Sequence, residues 1–272
     1  MLTGDKSKLK LLAPVHPNVG VAAAYQRRVG ALIEEMHASL VWWLRAALRK
    51  REPEIVSLMA ADDSPAREIG AIMRRLARRW QQRFNAAAPE LASYFATAAA
   101  DRSDATLQSI LKRGGIAVKF KPTRAVNDVL QATIQENVAL IRSIAQQHLT
   151  QVEGMVMRSV QHGRDLQSLA EGLQDQLGVS KRRARLIARD QNNKATAVIQ
   201  RVRQAEIGIT QAQWLHSGGG DEPRPTHLKA GRDKVVYNIA EGWFDPAIQK
   251  YIWPGTEINC RCVAKPIVQG FS

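Results

Sequence analysis

One stretch decides the fold of this chain: IQENVALIRSIAQQHLTQVEGMV, residues 134–156. The residues of one stripe recur there in steps of three or four. They are Ile134, Val138, Ile141, Ala145, His148, Val152 and Val156. This near-heptad spacing predicts a single helix from about Thr123 to Gln161, and such a helix packs against a partner as a hairpin or a coiled coil.

Two more long helices are predicted before this stretch. The first runs from about Ala22 to Lys50, since its apolar residues also form one stripe. The second begins with Ser64 as N-cap and Pro65 in the first turn, and it ends at the glycine pair 114–115. The alternating apolar residues of 116–120 then predict a short strand or an extended linker.

Residues 165–191, DLQSLAEGLQDQLGVSKRRARLIARDQ, predict two helices, with Asp165 and Ser180 as N-caps and Gly178 as the break between them. A helix, a tight turn and a basic helix also describe a DNA-reading helix-turn-helix. In that motif, the position four before the turn glycine is normally small, whereas here it is Gln174. An ordinary helical hairpin is therefore favoured, and a helix-turn-helix DNA-binding regulator is the alternative.

After Thr210 the helical periodicity stops, and Pro, Gly, Trp and β-branched residues dominate. This composition predicts short strands and turns, with a small helix near Asp245 to Lys250. The predicted fold class is therefore α+β, with an elongated, mainly helical N-terminal region and a small mixed C-terminal module. The predicted boundaries are 1–121 for the N-terminal helical region, 122–209 for the long helix and basic hairpin, and 210–272 for the module.

Positive charge is concentrated in the helical part of the chain. The 39 Lys and Arg residues exceed the 25 Asp and Glu residues, which gives a net charge of +14. Residues 67–83 carry a net charge of +5 and residues 181–203 a net charge of +7. Such clusters attract polyanions, most often nucleic acid, although arginine-rich faces also keep helices soluble or meet acidic proteins.

Seven arginines of these two segments are the candidate contacts to DNA phosphates. They are Arg75, Arg79, Arg83, Arg182, Arg183, Arg185 and Arg189. Spacing of three or four residues places several of them on common helix faces, which suits sequence-independent binding of double-stranded DNA.

Cysteine usage and hydropathy limit the cellular setting. The chain has two cysteines, Cys260 and Cys262, and a bridge across one residue fits disulfide geometry poorly. We therefore expect reduced thiols and folding in the cytoplasm. No apolar stretch reaches the roughly 20 residues that cross a bilayer, and the first residues lack the apolar core of a signal peptide, so we expect no membrane segment.

The C-terminal module carries a specific series of motifs. Trp214 is followed by DEPRPTH (221–227), by Gly231 and by WPGTEINCRC (253–262). In this order they resemble the C-terminal module of the bacteriophage Mu F-like head morphogenesis, or minor capsid, family. VSKRRARLIARDQ (179–191) and PNVGVAAAY (17–25) are also similar to members of that family. The motif positions are Trp214, Asp221, Arg224, Gly231, Pro254, Gly255, Asn259 and Arg261.

This resemblance implies a minor structural protein of a tailed-phage or prophage head. Its expected partners are the portal, the scaffold or the major capsid protein. Its expected place is the interior of the capsid, beside the packaged DNA, after assembly in the cytoplasm of the bacterial host.

The residue types in the module also allow metal chemistry. In an extended segment Cys260 and Cys262 point to the same side, so that both thiols and the His227 imidazole could bind zinc, with His216 or Asp221 as a fourth ligand. The same three residues could instead pack together and fix the final strand. A metal-dependent hydrolase or nuclease would further need an open metal position and a base such as Glu222. The sequence contains neither an H-E-x-x-H motif nor a nucleophile elbow, so a non-enzymatic protein that requires no cofactor is favoured.

Overall fold

The computed structural model describes residues 9–49, 65–161, 166–219 and 222–269. Its elements, in chain order, are β1 (Leu9–Leu11), α1 (Val19–Arg49), α2 (Pro65–Arg113), α3 (Arg124–Gln161), α4 (Leu166–Glu206), β2 (Gln211–Leu215), α5 (Pro225–Arg232), β3 (Val236–Asn238), β4 (Trp243–Asp245), β5 (Lys250–Ile252) and β6 (Val263–Gln269). Four long helices followed by a small strand-rich module confirm the predicted α+β class.

The first three long helices lie close to their predicted bounds, because an apolar stripe is a strong signal over many turns. The predicted caps Ser64 and Asp165 lie outside the described residues. Residues 116–123 contain no strand, so the extended linker is the correct reading of the alternating segment. None of the helices in the described ranges combines the length and the apolar character needed to cross a membrane.

The predicted helix break at Gly178 is wrong, since α4 continues through it to Glu206. Buried positions recur on both sides of the glycine, at Leu169, Leu173, Ser180 and Ala184. Their steps keep one stripe in register, so packing overrides the cost of about 1 kcal/mol for a helical glycine. Without a turn at this point there is no helix-turn-helix at Gly178, and the regulator alternative built on it is excluded.

By spatial contact the chain divides into two compact units, and neither is continuous in sequence. The first, here the module unit, contains residues 1–23, 93–135 and 188–272. The second, the helical unit, contains residues 24–92 and 136–187. Each of the four long helices is divided between the two units and contributes one segment to each. The predicted ranges 1–121, 122–209 and 210–272 instead follow changes in composition and helical periodicity along the sequence.

In the helical unit, polar pairs are buried among the apolar stripes. The Tyr25 hydroxyl donates to Asn137 Oδ1 over 3.0 Å, and so joins α1 to α3. His148 Nδ1 lies 2.9 Å from Ser180 Oγ, which joins α3 to α4. Both histidine and serine are at most 3% exposed. Buried polar groups need partners, so these pairs favour one axial register between neighbouring helices.

In the module unit a four-stranded antiparallel sheet has the order β1-β6-β2-β3. The central strand β6 pairs with β1 on one side and with β2 on the other. Trp214 of β2, which is 1% exposed, belongs to the hydrophobic core of this unit together with Leu111, Tyr237 and Val268. The chain segment 9–23 therefore folds with the C-terminal strands.

The small helix predicted near Asp245 to Lys250 is absent, and these residues form the turn of the β4–β5 hairpin. Asp245 causes the difference, because its Oδ1 accepts a hydrogen bond of 2.9 Å from the Ala247 backbone N–H in an Asx-type turn. The one short helix described in this unit is instead α5, whose start at Pro225 suits the first turn of a helix.

Acidification should destabilise the helical unit through His148. Burial, and after it the neighbouring His37, lowers the pKa of His148 to about 4. The unfolded chain takes up this proton near pH 6.5, so the stabilising contribution is complete above about 6.5 and lost as the pH falls to about 4. This shift corresponds to a loss on the order of 3 kcal/mol in the free energy of unfolding.

Urea unfolding across this pH range measures the effect. Carboxylates also contribute to acid sensitivity, so the matched variant is His148→Asn, whose amide oxygen can replace Nδ1 beside Ser180. We expect a clearly shallower loss of stability with falling pH in the variant. Identical pH profiles of the two proteins would contradict the assignment.

Candidate functional site

A buried histidine, His227, lies at the centre of the module unit. It is 2% exposed and belongs to the first turns of α5. The Trp214 ring of β2 packs edge-on against it, with 5.1 Å between the ring centroids. The imidazole is therefore held from one side by an aromatic wall that restricts its rotation.

Gly231 allows α5 to lie directly on the end of β2. It is one helical turn after His227, and a Cβ at this position would lie 2.4 Å from His216 Cβ and 2.9 Å from the His216 backbone nitrogen. Atoms cannot approach so closely, so any side chain at this position would push the helix away from the strand. Gly231 thus sets the depth at which His227 is buried.

The two cysteines lie in an extended segment just before β6, and the second half of α4 fixes that segment. The buried Asn193 side chain donates to the Cys260 carbonyl over 3.0 Å. Asp190 Oδ1 accepts a hydrogen bond from the Asn259 backbone N–H, and Asn259 adopts a left-handed conformation with φ 58°. Asparagine tolerates that conformation better than most residues, which explains its place before the first cysteine.

The other predicted motif residues hold the same segment. Arg224 donates to the Ile258 carbonyl over 3.0 Å. Gly255 has φ 84°, and Pro254 beside it is buried. Arg261 lies between the cysteines and lines the pocket beside them. Asp221 lies outside the described residues.

The structure brings together the three predicted metal-binding residues. His227 Nδ1 lies 3.5 Å from Cys260 Sγ and 4.0 Å from Cys262 Sγ. One ligand atom from each residue lies within 4.8 Å of the other two, and all three residues are buried. The predicted packing of His227 against both thiols is therefore present, and whether a metal binds there stays a prediction.

A carboxylate stands on the opposite side of the imidazole. His227 Nε2 lies 3.4 Å from Asp245 Oδ2, and Asp245 is 1% exposed. The same oxygen accepts a hydrogen bond of 3.1 Å from Thr226 Oγ1. The order of groups is thus carboxylate, imidazole and two thiols, with Nδ1 directed towards sulfur.

The two thiols polarise each other. The hydrogen bond with Cys262 lowers the pKa of Cys260. The pKa of Cys262 is raised by its hydrogen bond to Cys260 and by burial. A second negative charge beside the first is costly, so the second of the two thiols is harder to deprotonate than the first.

A polar pocket with a volume of about 410 Å³ adjoins the three residues. His227, Cys260 and Cys262 form part of its wall. Three arginines and one carboxylate also line this pocket, namely Arg189, Arg224, Arg261 and Glu222. Arg189 and Arg261 are close enough that their mutual repulsion, after burial, contributes to a lowered pKa of Arg189. The wall therefore favours anionic over cationic occupants.

The seven predicted DNA contacts differ in their surroundings. Six belong to the helical unit, whereas Arg189 belongs to the module unit and lines this pocket. Arg83 pairs with Glu35, and Arg183 donates to Gln147 and to Ser143, so both are engaged within the protein.

Four of the seven remain exposed and form no hydrogen bond or ion pair with the described residues: Arg75, Arg79, Arg182 and Arg185. The two basic segments also lie close to each other in the helical unit. Arg83 of α2 and Lys181 of α4 pair with the neighbouring residues Glu35 and Glu34 of α1.

Sequence reasoning missed Asp245 as part of the site. Its position before Pro246 indicates a turn, but nothing in the spacing links it to a histidine 18 residues earlier. It also missed Asp190 and Asn193, because neither the helical pattern nor the charge of α4 indicates a contact with the cysteine segment. These contacts are between residues far apart in sequence, and only the packing of α4 against the cysteine segment creates them.

Comparison with known proteins gives one family. The model of the family described as phage Mu protein F like protein matches residues 150–265, which confirms the resemblance found in the motifs. An uncharacterized protein of Haemophilus influenzae is 32% identical over 143 residues, which are 53% of this chain and 30% of that protein. The chain thus matches less than a third of its relative's length. No solved structure matches the chain.

Replacing Gly231 by Ala should destabilise the module unit and expose the thiols. The added methyl group overlaps the backbone of His216, and such overpacking costs about 1–3 kcal/mol. Urea unfolding measures the loss, and the rate of thiol modification in the native protein should rise because both thiols pack against His227 of α5.

The matched control is Gly30→Ala, a helical glycine where a Cβ meets nothing within 4 Å. That variant should keep or raise the free energy of unfolding, by up to about 1 kcal/mol. If Gly231→Ala and Gly30→Ala behaved alike, the close approach of α5 to β2 would not be a constraint.

Proposed function

Because residues 150–265 match the model of the phage Mu protein F-like family, we propose that this chain is a minor structural protein of a tailed-phage head that acts in head morphogenesis. The observation that carries the proposal is the extent of that match. It begins in α3, includes all of α4 and ends in β6, so it contains every residue of the histidine and cysteine site.

The fixed path of the cysteine segment supports a structural role for the chain. The family match coincides with the segments that hold Cys260 and Cys262 in place through Asn193, Asp190 and Arg224. These contacts use main-chain atoms of the cysteine segment, so their effect is to fix its path. A protein that is built into a particle benefits from such a fixed surface.

The proposed position is the interior of the capsid near the portal. A minor protein at that position contacts the portal, the scaffold or the major capsid protein during assembly in the host cytoplasm. The proposal includes non-specific contact with packaged DNA, since a net charge of +14 favours any neighbouring polyanion.

Four exposed arginines are the best candidates for this DNA contact. Arg75 and Arg79 are one turn apart on α2, and Arg182 and Arg185 are three residues apart on α4. Exposed guanidinium groups without a protein partner can bind phosphate without first breaking an ion pair. The other three arginines of the predicted set serve internal contacts or the pocket.

Quantitative mass spectrometry of purified heads and mature virions from the source phage or induced prophage tests the structural role. We expect a fixed copy number that is low relative to the major capsid protein, with free lysate protein as the control. Absence of the chain from every particle would reject the proposal.

Charge reversal of the four exposed arginines to Glu should strongly weaken DNA retention at low salt. Each lost phosphate contact reduces the slope of log K against log salt by about 0.9, so the slope should fall by roughly 3–4 if all four take part. Fluorescence anisotropy with a random-sequence duplex, repeated over a salt series, measures both quantities.

The matched control changes four exposed lysines of the module unit, Lys112, Lys119, Lys229 and Lys250, to Glu. It changes the net charge by the same amount, so an effect of total charge alone would weaken both variants equally. Unchanged DNA retention in the arginine variant, with folding intact, would sink the DNA part of the proposal and leave the head role untouched.

A further inference from the structure

We propose that Cys260, Cys262 and His227 Nδ1 bind one Zn²⁺ ion, and that its fourth coordination position opens into the arginine-lined pocket. Asp245 acts from the far side of the imidazole as the partner of Nε2. The inference goes beyond the proposed role in the head and does not depend on it.

The distances between the ligand atoms suit zinc. In a tetrahedral site with Zn–S of about 2.3 Å and Zn–N of about 2.0–2.1 Å, neighbouring ligand atoms are about 3.5–3.8 Å apart. The His227 Nδ1 atom lies 3.5 Å and 4.0 Å from the two sulfur atoms. Both nitrogen–sulfur distances are therefore close to those of a tetrahedral zinc site.

The chemical nature of the ligands also selects zinc over harder cations. Two thiolates and an imidazole prefer a borderline-soft ion, whereas Mg²⁺ and Ca²⁺ prefer oxygen. Binding releases the protons of the thiols, and the positive ion removes the repulsion between two neighbouring thiolates.

Asp245 supplies the outer contact that metal-binding histidines usually have. A carboxylate beside Nε2 favours the tautomer with the proton on Nε2, which leaves the Nδ1 lone pair free for the metal. Asp245 is itself oriented by Thr226 Oγ1 and by the Ala247 N–H. The imidazole, the carboxylate and the Trp214 wall thus fix the ligand before any metal arrives.

The backbone of the cysteine segment is fixed in the same way. Asn193 and Asp190 of α4 bind the Cys260 carbonyl and the Asn259 N–H. A preorganised site loses little conformational entropy on binding, which raises its affinity. Ordinary core cysteines would not need this number of polar contacts around them.

In the proposal the fourth position is open, because no further ligand stands beside the three among the described residues, which do not include Asp221. Among the described residues, only these three provide metal-ligand atoms within 4.8 Å of one another, and His216 is not in the group. The three ligands face a pocket that also contains Arg189, Arg224 and Arg261. Water or an anionic group can therefore complete the coordination from the pocket side, and the arginines favour the anion.

The test uses the full chain, purified under reducing conditions, stripped with a chelator and then titrated with Zn²⁺ alone. We expect one equivalent of bound zinc by elemental analysis and a higher melting temperature with zinc than with chelator. Replacement by Co²⁺ should give the absorption of tetrahedral cobalt together with thiolate-to-cobalt charge-transfer bands. Substoichiometric zinc with no effect on melting would overturn the proposal.

Variants test the separate roles of the residues. Cys260→Ser and Cys262→Ser should each weaken the charge-transfer bands and lower the zinc affinity. Asp245→Asn keeps all three ligands and should lower the affinity about 10–100-fold. Its matched control is Glu222→Gln. Glu222 lines the same pocket but is neither a proposed zinc ligand nor a contact of one, so this variant should bind zinc as tightly as the parent.

His216→Ala tests the open position. We expect unchanged zinc stoichiometry and an unchanged cobalt spectrum in this variant, whereas loss of either would show a closed four-ligand site and overturn the open position. Inorganic phosphate added to the cobalt protein should shift the absorption bands, and an unchanged spectrum at saturating phosphate would likewise reject an accessible metal. If a cysteine variant fails to fold, the parent and the Asp245→Asn protein still decide the outcome.

Discussion

The module unit depends on the burial of one imidazole at the point where four chain segments meet. His227 comes from α5, its aromatic wall from β2, the two thiols from the segment before β6, and the carboxylate from the β4–β5 hairpin. Asp245 Oδ2 lies 3.4 Å from Nε2, and the two thiols lie 3.5 Å and 4.0 Å from Nδ1, so these contacts give each segment a defined position relative to the ring. The imidazole is the one group that contacts the β2 tryptophan, the cysteine segment and the β4–β5 hairpin at the same place.

The close contact between α5 and β2 follows from the same requirement. Gly231 removes the side chain that would separate the helix from His216, and Arg224 at the start of the helix holds the Ile258 carbonyl. The two ends of an eight-residue helix are therefore tied to different parts of the module. Such a short helix has little stability of its own, so these ties, rather than helix propensity, account for its presence.

Buried polar groups serve a comparable purpose in the long helices. Arg203 of α4 is 4% exposed, yet its guanidinium contacts Asp104 Oδ2 at 2.7 Å and Glu206 Oε2 at 2.9 Å and donates to the Lys121 carbonyl at 2.8 Å. It also lies over the Phe120 ring at 4.9 Å, which fixes the extended linker after α2. A buried charge whose three nitrogen atoms all donate hydrogen bonds specifies one arrangement, because any shift would leave a desolvated group without a partner. Arg203 thus stabilises the packing of α4 against α2 and the linker after it, although the composition of its segment indicated only a basic surface.

The sequence by itself determined the α+β class, the bounds of the first three long helices and the motifs by which the chain resembles the phage Mu protein F-like family. These features repeat over many residues or occur as contiguous letters, so single-chain patterns contain them. Tertiary structure decided that α4 runs through Gly178, because Ser180 finds a partner in His148 and the buried stripe continues. It decided which arginines remain free and which are paired. It also placed Asp245 behind His227, since a contact between distant residues depends on the path of the whole chain and not on any local spacing.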